Sequence, residues 1–278
     1  MRNILLLTDF SENSINAIRY ALHLFEDDIC NFNMLYVQKS SSYLVDDFML
    51  AGERSVYDTI IKKPKTQLAK LVVKIENEFN NKNFNFSYLV SYNSLVASVK
   101  EIIKSKEIDL IVIGTNGVTG ADEVIFGSNT INIIREVDCA TLIIPEDYKY
   151  IQRPKQILLP LDIDDSVKGN AFIDIIKFTN HFGKKLHLVR IKPNNEDSKE
   201  EKNDIRNIDF FLKDTDNEYH IVKNVSMPDV VNCYLQTHNI DLITLIVQKE
   251  SLFERFITGS PTTKIAHKLS LPLLVFHS

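Results

Sequence analysis

The chain has 278 residues, of which 44% are hydrophobic and 25% are charged, and its formal net charge is −5. This length accommodates two ordinary domains, and the apolar content supports compact cores without a membrane span. Lysine and arginine are scattered along the sequence, which argues against nucleic acid as a partner. The apolar run near the N-terminus is too short for the core of a signal peptide, so a cytoplasmic protein is expected.

The polar residues that usually carry chemistry show little organisation. The three cysteines are widely separated, which favours buried reduced thiols over disulfides or metal ligands. The histidines lack the spacing of zinc ligands, so no metal site is expected. No nucleophile, general base and orienting partner can be assembled, and no catalytic residue is assigned. These patterns favour a binding protein over an enzyme.

The first half alternates strands and helices. Residues 3–8 form an apolar run typical of a buried strand, and Ser11 or Asn13 is placed to cap a helix that continues to about Phe25. Further strands are predicted at 32–37, 84–90, 109–114 and 141–144, with helices over 67–78, 94–105 and from Ser128 onward. This order predicts a parallel sheet covered by helices on both faces.

The same pattern then repeats. A shift of 153 residues pairs Asp9 with Asp162, and a shift of 132 pairs Gly127-Ser128 with Gly259-Ser260. The chain is therefore interpreted as a tandem duplication, with domains at 1–150 and 151–278. The first copy has extra residues, mostly within 40–64. They are expected to form a short amphipathic helix, either packed on its own domain, which is favoured, or acting as a flap over a ligand.

A glycine motif follows the strand at 109–114. Its spacing is Gly114-x2-Gly117-x9-Gly127-Ser128, and it opens a segment with helical periodicity. Glycines at a strand end and at a helix start let the backbone approach a ligand closely, and the first amides of a helix attract anions. The spacing matches neither the dinucleotide fingerprint nor the P-loop. The motif indicates a phosphate site, although such glycines also serve purely structural turns.

Both copies resemble the universal stress protein family, most clearly in the glycine motif and in the aspartate after strand one. The resemblance implies two tandem doubly wound, Rossmann-like α/β domains, each with a five-stranded parallel sheet of order 3-2-1-4-5. Ligands in such sheets bind beyond the carboxyl ends of strands 1 and 4, where the winding reverses. Family domains commonly pair through their fifth strands, so 140–144 and 272–276 are expected to pair within the chain, as a pseudo-dimer, with a homodimer also open.

The resemblance also assigns site residues in the first copy. Asp9 would lie beside adenine and ribose, with helix capping as the alternative, and the backbone of Val37 would read the adenine edge unless Val37 is only a core residue. Asn116 stands where the family usually has His or Arg, which should weaken phosphate attraction. The full implied set is Thr8, Asp9, Val37, Gly114, Thr115, Gly117, Gly127, Ser128, Asn129 and Thr130.

The second copy has lost most of this motif. Ile246 and Lys249 stand where the first copy has Gly114 and Gly117, and a β-branched side chain would obstruct a ribose. One competent nucleotide site is therefore predicted, in the first half. Gly259-Ser260-Pro261 is interpreted as a helix start, and the basic residues Lys249, Arg255 and Lys264 leave a weak anion site open.

The leading hypothesis is a cytoplasmic ATP-binding stress-response or signalling protein. ATP, with or without Mg²⁺, would bias the conformation or a surface for an unidentified protein partner, with slow hydrolysis at most. One alternative is an interaction module that binds no nucleotide, and a weak ATPase is another. An adenylating enzyme of the wider family is disfavoured, because its Ser-Gly-Gly-x-Asp-Ser loop is absent from the end of strand one.

Overall fold

The computed structural model describes residues 1–38, 62–115, 127–162, 165–192, 199–247 and 271–278, without the side chains of 199–202. The chain divides into two compact units. Met1–Thr115 and Ser128–Cys139 form the first, and the residues from Ala140 to Ser278 belong to the second. The helix predicted within 40–64 falls mainly on 39–61, which lie outside the described residues.

The first unit alternates strands and helices as predicted. Its strands are β1 (Arg2–Thr8), β2 (Cys30–Val37), β3 (Phe84–Ser91) and β4 (Leu110–Thr115), and its helices are α1 (Glu12–Leu24), α2 (Lys63–Phe79), α3 (Leu95–Lys106) and α4 (Ser128–Glu136). The strands lie in the order β3-β2-β1-β4, and each observed pair is parallel. This is the order expected for a doubly wound sheet.

Local sequence explains the bounds of these elements. Ser11 is the N-cap of α1, as predicted, and its hydroxyl accepts a hydrogen bond from the Ser14 amide at 3.1 Å. Helix α2 begins four residues before its predicted start because Pro64 sits in the first turn, where proline is tolerated. Strand β4 continues to Thr115, one residue beyond the predicted end.

The second unit contains a complete doubly wound sheet. Its strands are β5 (Thr141–Pro145), β6 (Gln156–Leu161), β7 (Lys185–Lys192), β8 (Asp216–Lys223), β9 (Leu242–Val247) and β10 (Leu273–His277), and its described helices are α5 (Asn170–Phe182), α6 (Lys199–Phe211) and α7 (Met227–Thr237). The order β8-β7-β6-β9-β10 is the predicted 3-2-1-4-5 of the second copy. The α/β fold class predicted from the sequence is confirmed.

Strand β5 pairs with β10, although β5 comes from the first copy of the repeat. The pairing is antiparallel and joins Ile143 to Leu273 and Leu142 to Leu274. The expected pairing of the two fifth strands is therefore confirmed. Because β5 follows this pairing into the second unit, the compact units do not coincide with the repeat, and the domain boundary at residue 150 stays a prediction.

None of the three cysteines forms a disulfide, and they differ in burial. Burial raises the pKa of Cys30 to about 12 and that of Cys139 to about 12, so both are inert thiols. Cys233 is exposed, so the expectation that all three are buried was wrong for this residue. It lies on α7, whose buried face is formed instead by residues such as Val230 and Tyr234.

Candidate functional site

The carboxyl end of β1 is organised by short hydrogen bonds to the start of α1. The buried Thr8 hydroxyl lies 3.0 Å from the Ser14 hydroxyl and accepts a hydrogen bond from the Phe10 amide at 3.0 Å. The Asp9 carboxylate accepts from the Ser11 amide at 3.0 Å and from its hydroxyl at 2.5 Å. Asp9 thus stabilises the capping residue and does not cap the helix itself.

Asp9 remains exposed and ionised at this strand end. Partial burial alone would raise the pKa of Asp9, but hydrogen bonds from Ser11 and Ser14 outweigh it and hold the pKa below the usual value for a carboxyl. An ionised, accessible carboxylate can accept hydrogen bonds from hydroxyl or amino groups of a ligand.

Phe10 adopts an unusual backbone conformation directly after Asp9. Its φ is 67°, in the left-handed region, which is strained for a bulky side chain and costs on the order of 1–3 kcal/mol. This geometry accompanies a contact between the Phe10 ring and the Tyr36 ring near the end of β2, with centroids 4.6 Å apart. Tyr36 also donates to Gln38 Oε1 at 3.0 Å. Sequence reasoning missed this aromatic pair, because no local pattern signals the positive φ.

Val37 ends β2, as predicted, and is half-buried. It pairs with Ser91 of β3, and the next residue, Gln38, donates its amide to the Ser91 carbonyl at 2.8 Å. The pairing of β2 with β1 ends one residue earlier, where Tyr36 lies opposite Thr8. The backbone of Val37 is therefore held on its β3 side and extends past the end of β1 on the other.

Gly114 lies where β4 passes the first turn of α1. A Cβ at this position would lie 2.9 Å from the Asn13 carbonyl oxygen and 3.1 Å from Asn13 Oδ1, closer than such contacts normally are. The observed register of β1 and β4, in which Leu6 is opposite Val112, continues to place Thr8 level with Gly114. The described contacts therefore explain Gly114 by helix packing, and Thr115 beside it is buried.

The start of α4 differs from the end of β4 in the described surroundings of its glycine. Among the described residues, no heavy atom lies within 4 Å of a Cβ added to Gly127. Ser128 and Asn129 in the first turn are exposed, whereas the Thr130 side chain is buried. First-turn amides lack partners within their own helix and are therefore groups to which an anion can bind. Gly117 and Asn116 lie outside the described residues.

The corresponding positions of the second copy are more enclosed. Ile246, which replaces Gly114, is only 2% exposed and is paired with Phe276 in the sheet. Asp162, which corresponds to Asp9, is half-buried, whereas Asp9 is exposed. Lys249, Gly259, Ser260, Arg255 and Lys264 lie outside the described residues.

Side chains that could hold a metal ion are dispersed in the part of the chain that the structure describes. It includes no cluster of three or more His, Cys, Asp or Glu side chains arranged as metal ligands. Within the same ranges, no helix is both long and apolar enough to cross a bilayer.

The fold and this strand end define a doubly wound α/β protein with polar groups gathered at the switch point between β1 and β4. The sequence profile of the universal stress protein family matches residues 1–145, more than half of the chain. The chain belongs to the universal stress protein family.

Individual relatives agree with this assignment. A universal stress protein of Methanocaldococcus jannaschii is 25% identical over 149 residues, which cover 53% of this chain and 84% of the relative. The structure of a universal stress protein from Archaeoglobus fulgidus superposes with a TM-score of 0.69 and 14% identity, covering 99% of this chain and 96% of that one. A putative universal stress protein from Pseudomonas aeruginosa gives 0.59 and 10% identity, covering 100% and 93%. The two structures show a shared fold.

Proposed function

We propose that the chain binds an adenine nucleotide, ATP with or without Mg²⁺, in its N-terminal half, and that occupancy biases its conformation or a surface for a partner protein. The observation that carries the proposal is the start of α4. Gly127 has room beside it among the described residues, and the exposed Ser128 and Asn129 follow in the first turn. A phosphate placed there would meet amides without partners inside the helix and the positive end of the helix dipole.

The ends of β1 and β2 would contact the ribose and the base of the proposed nucleotide. Asp9 is exposed and its pKa is low, so a carboxylate is available for ribose hydroxyls or an adenine amino group at neutral pH. Val37, on the neighbouring strand β2, would offer backbone groups to the base, while Thr8 and Thr115 are buried and would support the strand ends. Gly114, Gly117 and Thr130 complete the proposed set, Thr130 by holding α4 in place.

The proposed role is binding and not chemistry. In this proposal the protein acts in the cytoplasm in a stress response or in signalling, through an unidentified partner protein or a second copy of itself. Hydrolysis of ATP, if it accompanies binding, would be slow. The Asp9 carboxylate is held by the Ser11 amide and hydroxyl, and its lowered pKa makes it a weak general base.

Isothermal titration of ATP into the parent chain and into Gly127→Val tests the proposal. The branched valine side chain would crowd a phosphate proposed to bind beside Gly127, so affinity is expected to fall at least about tenfold, which corresponds to roughly 1.4 kcal/mol. Gly259→Val is the matched control in the second half and should leave affinity nearly unchanged. Circular dichroism confirms that each variant is folded. Equal affinity in all three proteins, or no binding by the parent, would defeat the proposal.

A further inference from the structure

Arg190 is a charged residue inside a central strand of the second unit. It lies on β7, paired with Leu161 of β6 and Ile221 of β8, and is only 2% exposed. A buried guanidinium is costly unless its donors are satisfied, so its partners define what it does.

The partners of Arg190 come from the same unit. Its Nε lies 2.8 Å from Asp204 Oδ2, its Nη2 lies 2.8 Å from the same oxygen, and its Nη1 donates to the backbone oxygen of Asp162. Tyr219 donates its hydroxyl to Asp204 Oδ2 at 2.8 Å. Burial, together with the bond to the Asp204 carboxylate, raises the pKa of Tyr219, which therefore stays protonated and donating. The cluster joins β6, β7, β8 and α6.

The first half has no such cluster at the matching positions. The shift of 153 residues places Val37 opposite Arg190. Strands β3 and β8 begin at Phe84 and Asp216, which are 132 residues apart. In this alignment of the two copies, Val72 corresponds to Asp204 and Ser87 corresponds to Tyr219. Val72 is buried on α2. The first copy thus has a half-buried valine, a buried valine and an exposed serine where the second copy has the ionic cluster.

The cluster also acts on the second copy of the strand-end aspartate. Arg190 donates a hydrogen bond to the backbone oxygen of Asp162, and the Asp162 amide donates to Asp165 Oδ2 at 2.8 Å. The backbone oxygen and the backbone amide of Asp162 are therefore each bonded to a side chain of the second unit.

We infer that the Arg190-Asp204-Tyr219 cluster is an internal substitute for a ligand. It lies at the carboxyl ends of β6 and β7 and ties them to α6 and β8, so that side chains of the chain itself fix this strand end. Buried ion pairs seldom add stability over apolar residues of similar volume, so the gain from this cluster is a fixed strand end. The comparison with a ligand rests on the nucleotide site proposed for the first copy, whereas the tie between the strand ends involves the second unit alone and is tested without nucleotide.

Two variants of the full chain test it. Arg190→Met leaves Asp204 buried without its cation and should lower the melting temperature by on the order of 10 °C. The triple variant Arg190→Met, Asp204→Leu and Tyr219→Phe removes every member of the cluster and should melt within a few degrees of the parent. Hydrogen exchange of the Leu161 and Asp162 amides should nevertheless be about tenfold faster in the triple variant, because the tie to β6 is gone.

Arg19→Met is the matched control. Arg19 forms a comparable pair of bonds with Glu78, at 2.6 Å and 3.0 Å, but both partners are about one-third exposed, so its loss should shift the melting temperature little. An Arg190→Met variant that melts like this control would overturn the inference. So would a triple variant whose exchange at Asp162 equals that of the parent. If Arg190→Met does not fold, the triple variant alone decides, through its melting temperature and exchange.

Discussion

Replacement of Gly114 by alanine isolates the packing of β4 against α1. The new Cβ would lie 2.9 Å from the Asn13 carbonyl oxygen and 3.1 Å from the Asn13 carbonyl carbon, and both are backbone atoms that cannot rotate away. Overpacking of this kind costs about 1–3 kcal/mol, while loss of glycine flexibility in the unfolded chain returns about 0.4–1 kcal/mol. The expected net loss is therefore roughly 1–2 kcal/mol.

Urea unfolding followed by circular dichroism measures this loss. With a slope of about 2 kcal/mol per molar urea, the midpoint should fall by about 0.5–1 M. Gly169→Ser is the matched control, because Gly169 is the N-cap of α5, has extended backbone dihedrals and has no described heavy atom within 4 Å of an added Cβ. Serine there should be neutral or slightly stabilising. A Gly114→Ala protein as stable as the parent would refute the argument that α1 excludes a side chain at this position.

Two more predictions concern hydrogen bonds, one in each unit. Ser11→Ala should cost about 1 kcal/mol of stability through loss of the α1 cap, and should raise the pKa of Asp9 in an NMR titration; an unchanged Asp9 pKa would contradict it. His187 lies 2.8 Å from the Tyr234 hydroxyl and 2.5 Å from Gln156 Oε1, and burial lowers its pKa against the opposing charge of Glu218. Its contribution to stability is therefore complete above about pH 6.5, the value in the unfolded chain, and is lost as pH falls below it. As pH falls below about 6.5, the free energy of unfolding should decrease less steeply in His187→Gln than in the parent. Identical pH dependence in the two proteins would rule the explanation out.

The strand order was predictable only through the family resemblance, whereas the alternation of strands and helices and the cap at Ser11 were predictable from local patterns. Each depends on a short stretch of sequence, such as the apolar run of β1 or a serine placed before helical periodicity. The pairing of β5 with β10 was predictable only through the family resemblance, because nothing in the two apolar runs names the partner strand.

The contacts of Gly114 and Arg190 could not be predicted from local patterns, because they join residues that are distant in the sequence. The spacing of the glycines favours a ligand near Gly114, which stays a prediction, whereas only the structure shows that the Asn13 backbone lies on the Cβ side of Gly114, a contact between residues far apart in the sequence. Arg190 lies in a strand that also carries Lys185, His187 and Lys192, and its partner Asp204 lies in a helix rich in charged residues. The choice of Asp204 among those charges follows from helix orientation, which only the folded unit defines.

The union of β5 with β10 has a consequence for the protein as it is being made. Strand β5 cannot pair with β10 until Leu273, which lies opposite Ile143, has been synthesised about 130 residues later. At the usual pace of translation, about 5–20 residues per second, that delay is roughly 7–26 s, long compared with the folding of many small domains. During this interval a nascent chain exposes an apolar ribbon next to the ribosome, and early termination anywhere before Leu273 leaves it permanently open to pairing with other polypeptides.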